Sequence, residues 1–413
     1  MRIIETHTKS RTSYLNLDEY PGESSVMRKI ALLLSLIVIF KIPSESVFYT
    51  YLGSTVSMGL GLVAMVFWVA TVIFTGKFRK LTLLHSMIFI FFFWNVLSFF
   101  WSVDIDRTID RLLTYFQMII MFMMLWDLYS TPRALKAGLQ AYVLGAFVAI
   151  GSLIANYLSG IQSAYLRYSA VDINADDLAL ILVLGIPIAW NLANVETSSK
   201  VIRGLRLINY AYIPAAIVSI LISATRGASV AALPAFLYML ISMPRIKLTR
   251  GIVIFLAMTG ALVVLVPLAP QTSVQRVIGT PSAILAGDLT GRYEIWRESL
   301  DVFVIHPLLG VGSGAVHSAL KSGLGSHNVF LSVLVQVGII GLILYVLILA
   351  ISFHYAMRHT KWERIFWLTL LIVWTVGNLT LSFEHRKTTW LILALVAASA
   401  SLYVRQDKSI SNF

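Results

Sequence analysis

Long uninterrupted apolar runs dominate this chain and confine it to a membrane. About twelve can be marked, each bounded by charges, Pro or Gly, from Ile30–Ile42 to Thr388–Tyr403. They do not alternate with polar residues, so they read as helices rather than barrel strands, and most reach the ~20 residues that a bilayer crossing needs. Ile30–Ile42 and Ser229–Ser242 are short for a crossing. Charged residues make up only 13% of the chain, well below the share usual in soluble domains. The expected fold is an all-α polytopic membrane protein of about twelve transmembrane helices. Residues 1–29 form a disordered cytoplasmic tail, 30–268 helices one to nine, 269–325 a long external loop, 326–403 helices ten to twelve, and 404–413 a second cytoplasmic tail. Met27–Ile42 has Arg28 and Lys29 before an apolar core. Lys41, Pro43 and Glu45 follow it in place of a small-residue cleavage pattern, so it reads as an uncleaved anchor.

Charge sets the orientation. Alternate junctions, beginning with the N-terminal tail, hold about 21 of the 32 Lys and Arg residues, and cytoplasmic loops carry this excess. GKFRKL (Gly76–Leu81) and MPRIKLTR (Met243–Arg250) are typical of that side. Both termini are therefore expected in the cytoplasm of a bacterial inner membrane. The net charge of +12 follows from this bias. It requires no nucleic-acid partner, and the basic loops attract anionic lipid heads. The chain has no cysteine, which excludes disulfides, thiol catalysis and cysteine-ligated metals.

One junction is long. Ala269–Gly325 lies outside in this topology, and a loop of this length is usually functional when ordered. RYEIWRESLDVF (Arg292–Phe303) sets Ile295, Trp296, Ser299, Leu300 and Phe303 on one helical face and charged residues on the other. His306-Pro307 ends it. An amphipathic helix lying on the membrane surface fits this segment.

The ionisable groups on the external side are the candidates for chemistry. Arg226, in the short turn SATRGAS (Ser223–Ser229), is placed near the lipid headgroups, where an arginine either grips a phosphate bidentately or snorkels to water. Arg292 opens the amphipathic helix, where free N–H groups and the dipole favour an anion, although a solvated helix face is the plainer reading. His327 stands where the loop enters the tenth helix and titrates near neutrality, as a base or as a packed helix-start residue. His306, His317 and His385 are also external and are not ranked by sequence alone. Asp104 and Asp106 form a D-x-D of the kind that holds a divalent ion on a phosphate, a motif of little specificity. Gly310, Gly312 and Gly314 (GVGSG) have no Lys-Ser/Thr after them and read as turn residues rather than a nucleotide loop.

From about Asp172 to Asn378 these pieces together resemble the bacterial O-antigen ligase/polymerase superfamily, which includes the exopolysaccharide polymerases. DINADDLALILVLGIP (Asp172–Pro187), the Ser-Ala-Thr-Arg-Gly turn, LTGRYEIW (Leu289–Trp296) with His306–Gly314, and His327-Asn328 followed by Gly338 and Gly341 carry the resemblance. It implies a fold of the GT-C type and a metal-independent, cofactor-free transfer of a glycan from an undecaprenyl-pyrophosphate-linked oligosaccharide. It also implies Arg226, Arg292 and His327 as essential external groups, with Arg297, Asn328, Asn174 and Asp177 as substrate-binding candidates. The acceptor is a glycan or the lipid A–core, and other polysaccharide-assembly proteins are expected partners. The Thr-Gly-Arg-x-x-Ile-Trp form leans to a polymerase over a ligase or a protein oligosaccharyltransferase. A lipid-sugar flippase would instead carry charges at mid-membrane and broken helices in corresponding halves, and a scaffold would not need the Arg/His trio.

Overall fold

The computed structural model describes residues 26–163, 167–195, 200–287 and 291–411. The expected tail therefore lies outside the described residues up to 25, and the first helix starts at Val26, ahead of the apolar run. In chain order the helices are α1 (Val26–Lys41), α2 (Glu45–Thr75), α3 (Leu83–Leu97), α4 (Ile105–Leu128), α5 (Pro132–Leu158), α6 (Ala175–Ala193), α7 (Lys200–Ser223) and α8 (Arg226–Ser242). There follow α9 (Leu248–Leu265), α10 (Gln271–Ile278), α11 (Thr280–Leu285), α12 (Arg292–Ile305), α13 (Val316–Ala319), α14 (Val329–Met357), α15 (Lys361–Asn378) and α16 (Lys387–Ser411). The fold is all-α, and every apolar run of the sequence falls on a helix. Among the described residues nine helical stretches are long and apolar enough to cross a membrane. The first of them joins α1 and α2 through the short 3-10 turn Ile42–Ser44. The segment 404–411 continues α16.

Local chemistry sets the helix starts. Asp104 accepts from the Arg107 N–H at the head of α4, Thr131 from Ala134 before Pro132 in α5, and Asn174 from Asp176 in α6. Asn328 accepts from both Phe330 and Leu331 at the head of α14. Each cap satisfies an N–H group that the helix itself leaves open. Asp104, half of the D-x-D, is thus occupied as a cap and also accepts the Ser318 hydroxyl. These two hydrogen bonds hold its carboxyl below the usual range.

Helix α6 is the hub. Nearly all of its residues from Leu178 to Ala193 are buried, and it packs against α5, α7, α8 and α15. A helix that is apolar all round and buried all round belongs to the interior of a bundle. Helix α9 is the opposite case, with only Ile254 buried, and its apolar surface faces outward. The polar ends sort into two sets. At one end Thr50 meets Asp172 at 2.6 Å, Trp101 meets the Leu309 carbonyl at 3.0 Å and Tyr157 meets the Leu268 carbonyl at 2.6 Å. At the other Arg28 meets Asp127 at 3.3 Å, Arg250 meets the Ala193 carbonyl at 3.0 Å and His359 meets Ser399 at 3.0 Å. These contacts join alternate junctions with one another, as successive crossings require.

Two helices break at glycine. In α2 Gly53 has φ 80° and ψ 158°. In α14 the break falls at Val337 and Gly338, the latter with φ 68° and ψ −171°. The backbone groups freed at the α14 break do not stay open. Val311 N–H donates to the Val335 carbonyl at 2.9 Å, Gly312 N–H to Gln336 at 2.9 Å, and Ile339 N–H to Pro307 at 3.0 Å. Trp94 donates to the Val337 carbonyl at 2.9 Å. Non-helical backbone at membrane depth is tolerated when other protein groups satisfy it in this way. The approach leaves no room for side chains: a Cβ on Gly310 would lie 2.5 Å from Gln336 backbone, and one on Gly338 would lie 2.1 Å from the Leu308 carbonyl oxygen. GVGSG is therefore the partner strip of the α14 break and not a phosphate loop.

Candidate active site

The starts of α6, α8, α12 and α14 meet at one end of the bundle. Thr225, the residue before α8, directs its hydroxyl to the Ala175 carbonyl at 3.4 Å, on the first residue of α6. Gly227 passes so close to the turn after α15 that a Cβ would lie 2.4 Å from Thr380 Oγ1. Asn328 Nδ2 donates to the neighbouring Leu379 carbonyl at 3.2 Å. Helix α12 is tied to the same place by Ser299, whose hydroxyl donates to Ser326 at 3.1 Å. These contacts bring the start of α8, which carries Arg226, to the same end of the bundle as Arg292 and His327, from widely separated parts of the chain.

Asp176 is the centre of charge there. Its carboxylate takes Arg167 at 2.7 Å on one oxygen and Arg292 at 3.6 Å on the other. Arg276, on α10, adds positive potential at Arg292. His327 is half-buried, with φ 45°, within the fields of Arg292, Asp176 and His317. Burial first, then the positive charge of Arg292, pushes its imidazole below the ordinary value, and Asp176 opposes the shift. A neutral imidazole at neutral pH is the form that accepts a proton. The region thus combines a cluster of guanidinium groups suited to a diphosphate with a deprotonated base.

The other sequence candidates fall in different places. Asn174 is the α6 cap. Asn328 caps α14 and braces the Leu379 turn, which accounts for an asparagine directly after His327. Arg297 is exposed on α12. Asp177 turns away from Arg292 and pairs with Arg386 at 2.6 Å. Of the other histidine candidates, His306 ends α12 and is exposed, His317 packs beside Gly325, and His385 lies 3.3 Å from Glu384. Among the described residues no group of three or more possible metal ligands is gathered.

Asp176, Arg167 and Arg276 escaped sequence reasoning. Asp176 sits between the two candidates Asn174 and Asp177, and consecutive helical residues point about 100° apart, so the two aspartates turn to different arginines. The doubled aspartate in a first helical turn was the available signal. Arg167 and Arg276 stand in no motif, and only the fold brings them near Arg292.

Residues 211–346 match the family model described as O-antigen ligase. Over this segment the chain is similar to the O-antigen ligase family. The segment is shorter than the stretch of resemblance read from the motifs, and it contains Arg226, Arg292, His327, the whole long loop and the α14 break. An O-antigen ligase of Pseudomonas aeruginosa strain PAO1 is 31% identical over 138 residues, covering 30% of this chain and 34% of that protein. The chain thus spans about a third of the length of the curated relative it matches. Asp176, which pairs with Arg292, and Arg167, which shares that carboxylate, lie outside the matched segment.

Proposed function

We propose that the protein is a membrane glycosyltransferase that moves a glycan from an undecaprenyl-pyrophosphate carrier at the periplasmic face, elongating exopolysaccharide or O-antigen repeat units. The observation that carries this reading is the meeting of Arg292 and His327 around Asp176, inside a segment of O-antigen ligase type. In the reaction, His327 takes the proton of an acceptor hydroxyl as that oxygen bonds to the anomeric carbon. The bond from this carbon to the carrier breaks, and its electron pair leaves on the pyrophosphate. Arg292 and Arg226 stabilise the charge developing there, a task that a divalent ion performs elsewhere. Neutral His327 fits the first step and the guanidinium cluster fits the second. The transfer needs no metal in this reading.

A ligase that hands a finished polymer to lipid A–core is the second reading, favoured by the P. aeruginosa relative, whose description is O-antigen ligase. The two readings share the donor chemistry and differ in the acceptor. Glycan transfer by purified protein tests both, with lipid-linked repeat unit and lipid A–core offered separately. His327→Ala is expected to lose turnover by ~10²–10⁴-fold, the usual contribution of a general base, while carrier binding persists. Wild-type turnover in that variant would reject the mechanism. Movement of lipid-linked sugar across vesicles without a new glycosidic bond would replace it with a flippase.

A further inference from the structure

On the other side of the α6 first turn lies a cavity of about 290 Å³. Its lining includes Glu45 and Tyr49 from the short piece of α2 before the Gly53 break, Asp172 and Asp177 from the approach to α6, and Arg386 and Lys387 from the start of α16. Arg292 and His327 are not among its walls. The volume is at the small end of the ~300–1,000 Å³ typical of ligand sites.

The charges of this cavity are fixed before any ligand arrives. Arg386 pairs with Asp177 at 2.6 Å, Lys387 pairs with Glu45, and Asp172 accepts the Thr50 hydroxyl at 2.6 Å. Lys41, behind the lining, lies 3.9 Å from Glu45 and over the Tyr49 ring, so three carboxylates stand against three cations, each cation already paired, and a phosphate gains little there. Fixed carboxylates with spare lone pairs accept hydroxyl donors strongly, and fixed cations donate to hydroxyl and ring oxygens. Tyr49 adds an aromatic surface to the same wall. Asp172 is held at φ 50°, a conformation uncommon for a residue other than glycine and found at ligand clamps. Polar groups pinned in this way bind a polyhydroxylated ligand without first paying to order themselves.

We propose that this cavity is a glycan subsite that holds one uncharged sugar residue of the substrate chain. The proposal rests on the transferase reading, because Asp176 and Asp177 are neighbours: the first serves the reaction centre and the second the cavity. A glycan engaged at the centre extends past the first turn of α6, and its next sugars come to the cavity. The source of the sugar is either the donor repeat unit or the acceptor, and the chemistry of recognition is the same for both.

The test uses the full chain in nanodiscs and saturation-transfer NMR. The probes are the free repeat-unit oligosaccharide cleaved from its carrier, the free lipid A–core oligosaccharide, and undecaprenyl pyrophosphate without sugar. Asp172→Asn and Tyr49→Leu are each expected to weaken glycan binding about tenfold, the scale of one charge-assisted or stacking contact. Carrier binding stays as in wild type, and His327→Ala still binds glycan. Asparagine tolerates the positive φ at 172, and Tyr49→Leu gives an independent reading if the first variant does not fold. Signal from the repeat unit alone assigns the cavity to elongation, and signal from the core alone assigns it to a ligase acceptor. Either supports the subsite. Unchanged glycan binding in both variants overturns it, as does absence of glycan binding by wild type or displacement of the glycan by phosphoethanolamine. Lost binding in the variants of a wild type that forms no glycosidic bond leaves the subsite standing and removes the transferase reading.

Discussion

The Arg292 guanidinium lies 3.6 Å from the Asp176 carboxylate, so a residue of the long loop closes on the first turn of the most buried helix. Arg167 holds the same carboxylate more tightly, at 2.7 Å. Asp176 therefore keeps one partner fixed and the other loosely held, and Arg292 is the one that can turn to a phosphate.

This pair also tunes His327, and the two partners act in opposite directions. Replacing Arg292 by Gln removes a charge that lowers the imidazole pKa, so the acid limb of the pH–rate profile moves to higher pH. Asp176→Asn removes the opposing charge and moves the limb to lower pH. Arg292→Gln is also expected to cost ~10²–10³-fold in rate, as loss of an oxyanion-stabilising donor does. Rate against pH for the residual activity of each variant checks both shifts. Limbs that stay in place would separate His327 from the titration.

Gly338→Ala places a Cβ 2.1 Å from the Leu308 carbonyl oxygen at a residue with φ 68°. Backbone cannot yield there as a side chain would, and the expected destabilisation is ~3 kcal/mol or more. Gly151→Ala is the control, since nothing lies within 4 Å of its Cβ position. Thermal unfolding in detergent compares them, and equal midpoints would mean that the loop does not press on the α14 break in the folded protein.

Glu384 is buried beside Arg111 at 3.2 Å and also accepts from Ser332 and Gln336. Burial disfavours its charge, but the His385 hydrogen bond and the neighbouring charges outweigh burial and hold the carboxyl well below the ordinary 4.5. A depressed folded value means stability that is fully present above pH 4.5 and lost as pH falls below 4.5 through the lower folded value. Glu384→Gln should therefore flatten the acid fall in stability, and Glu384→Ala should cost ~3–5 kcal/mol by leaving Arg111 unpaired in the interior. Denaturation followed at a series of pH values reads both. An unchanged acid slope in Glu384→Gln would assign the acid sensitivity elsewhere.

Orientation is open to direct labelling because the chain has no native cysteine. Single cysteines at Ser282 and Ser322 are expected to react with an impermeant maleimide from outside intact spheroplasts, and one at Ser409 only after lysis. Reaction of Ser409→Cys in intact spheroplasts would invert the arrangement and move the candidate site to the cytoplasm.

The bundle was legible because a run of apolar residues longer than any soluble strand has few other uses, and α12 was legible because its charges and large side chains separate on a helical period. Helices α10 and α11 were not. They are too short, at eight and six residues, to show a helical period. The Gly53 and Gly338 breaks could not be told from Gly59, Gly61 and Gly151, which stay helical, because the deciding factor in α14 is a loop that arrives from elsewhere. The candidate trio came from motif order. Its organising carboxylate did not, since nothing in Asp176-Asp177 says which member faces which site.

The seam between 307–312 and the broken α14 is made mainly by main-chain groups. Its geometry therefore depends little on the identity of the exposed Leu308 and Leu309, provided the glycines and the buried Val311 and Val335 remain. A lineage carrying this arrangement is free to rewrite those two outward side chains without disturbing the main-chain hydrogen bonds that close the α14 break. Drift at the surface and constancy of the backbone can proceed side by side in one short stretch of chain.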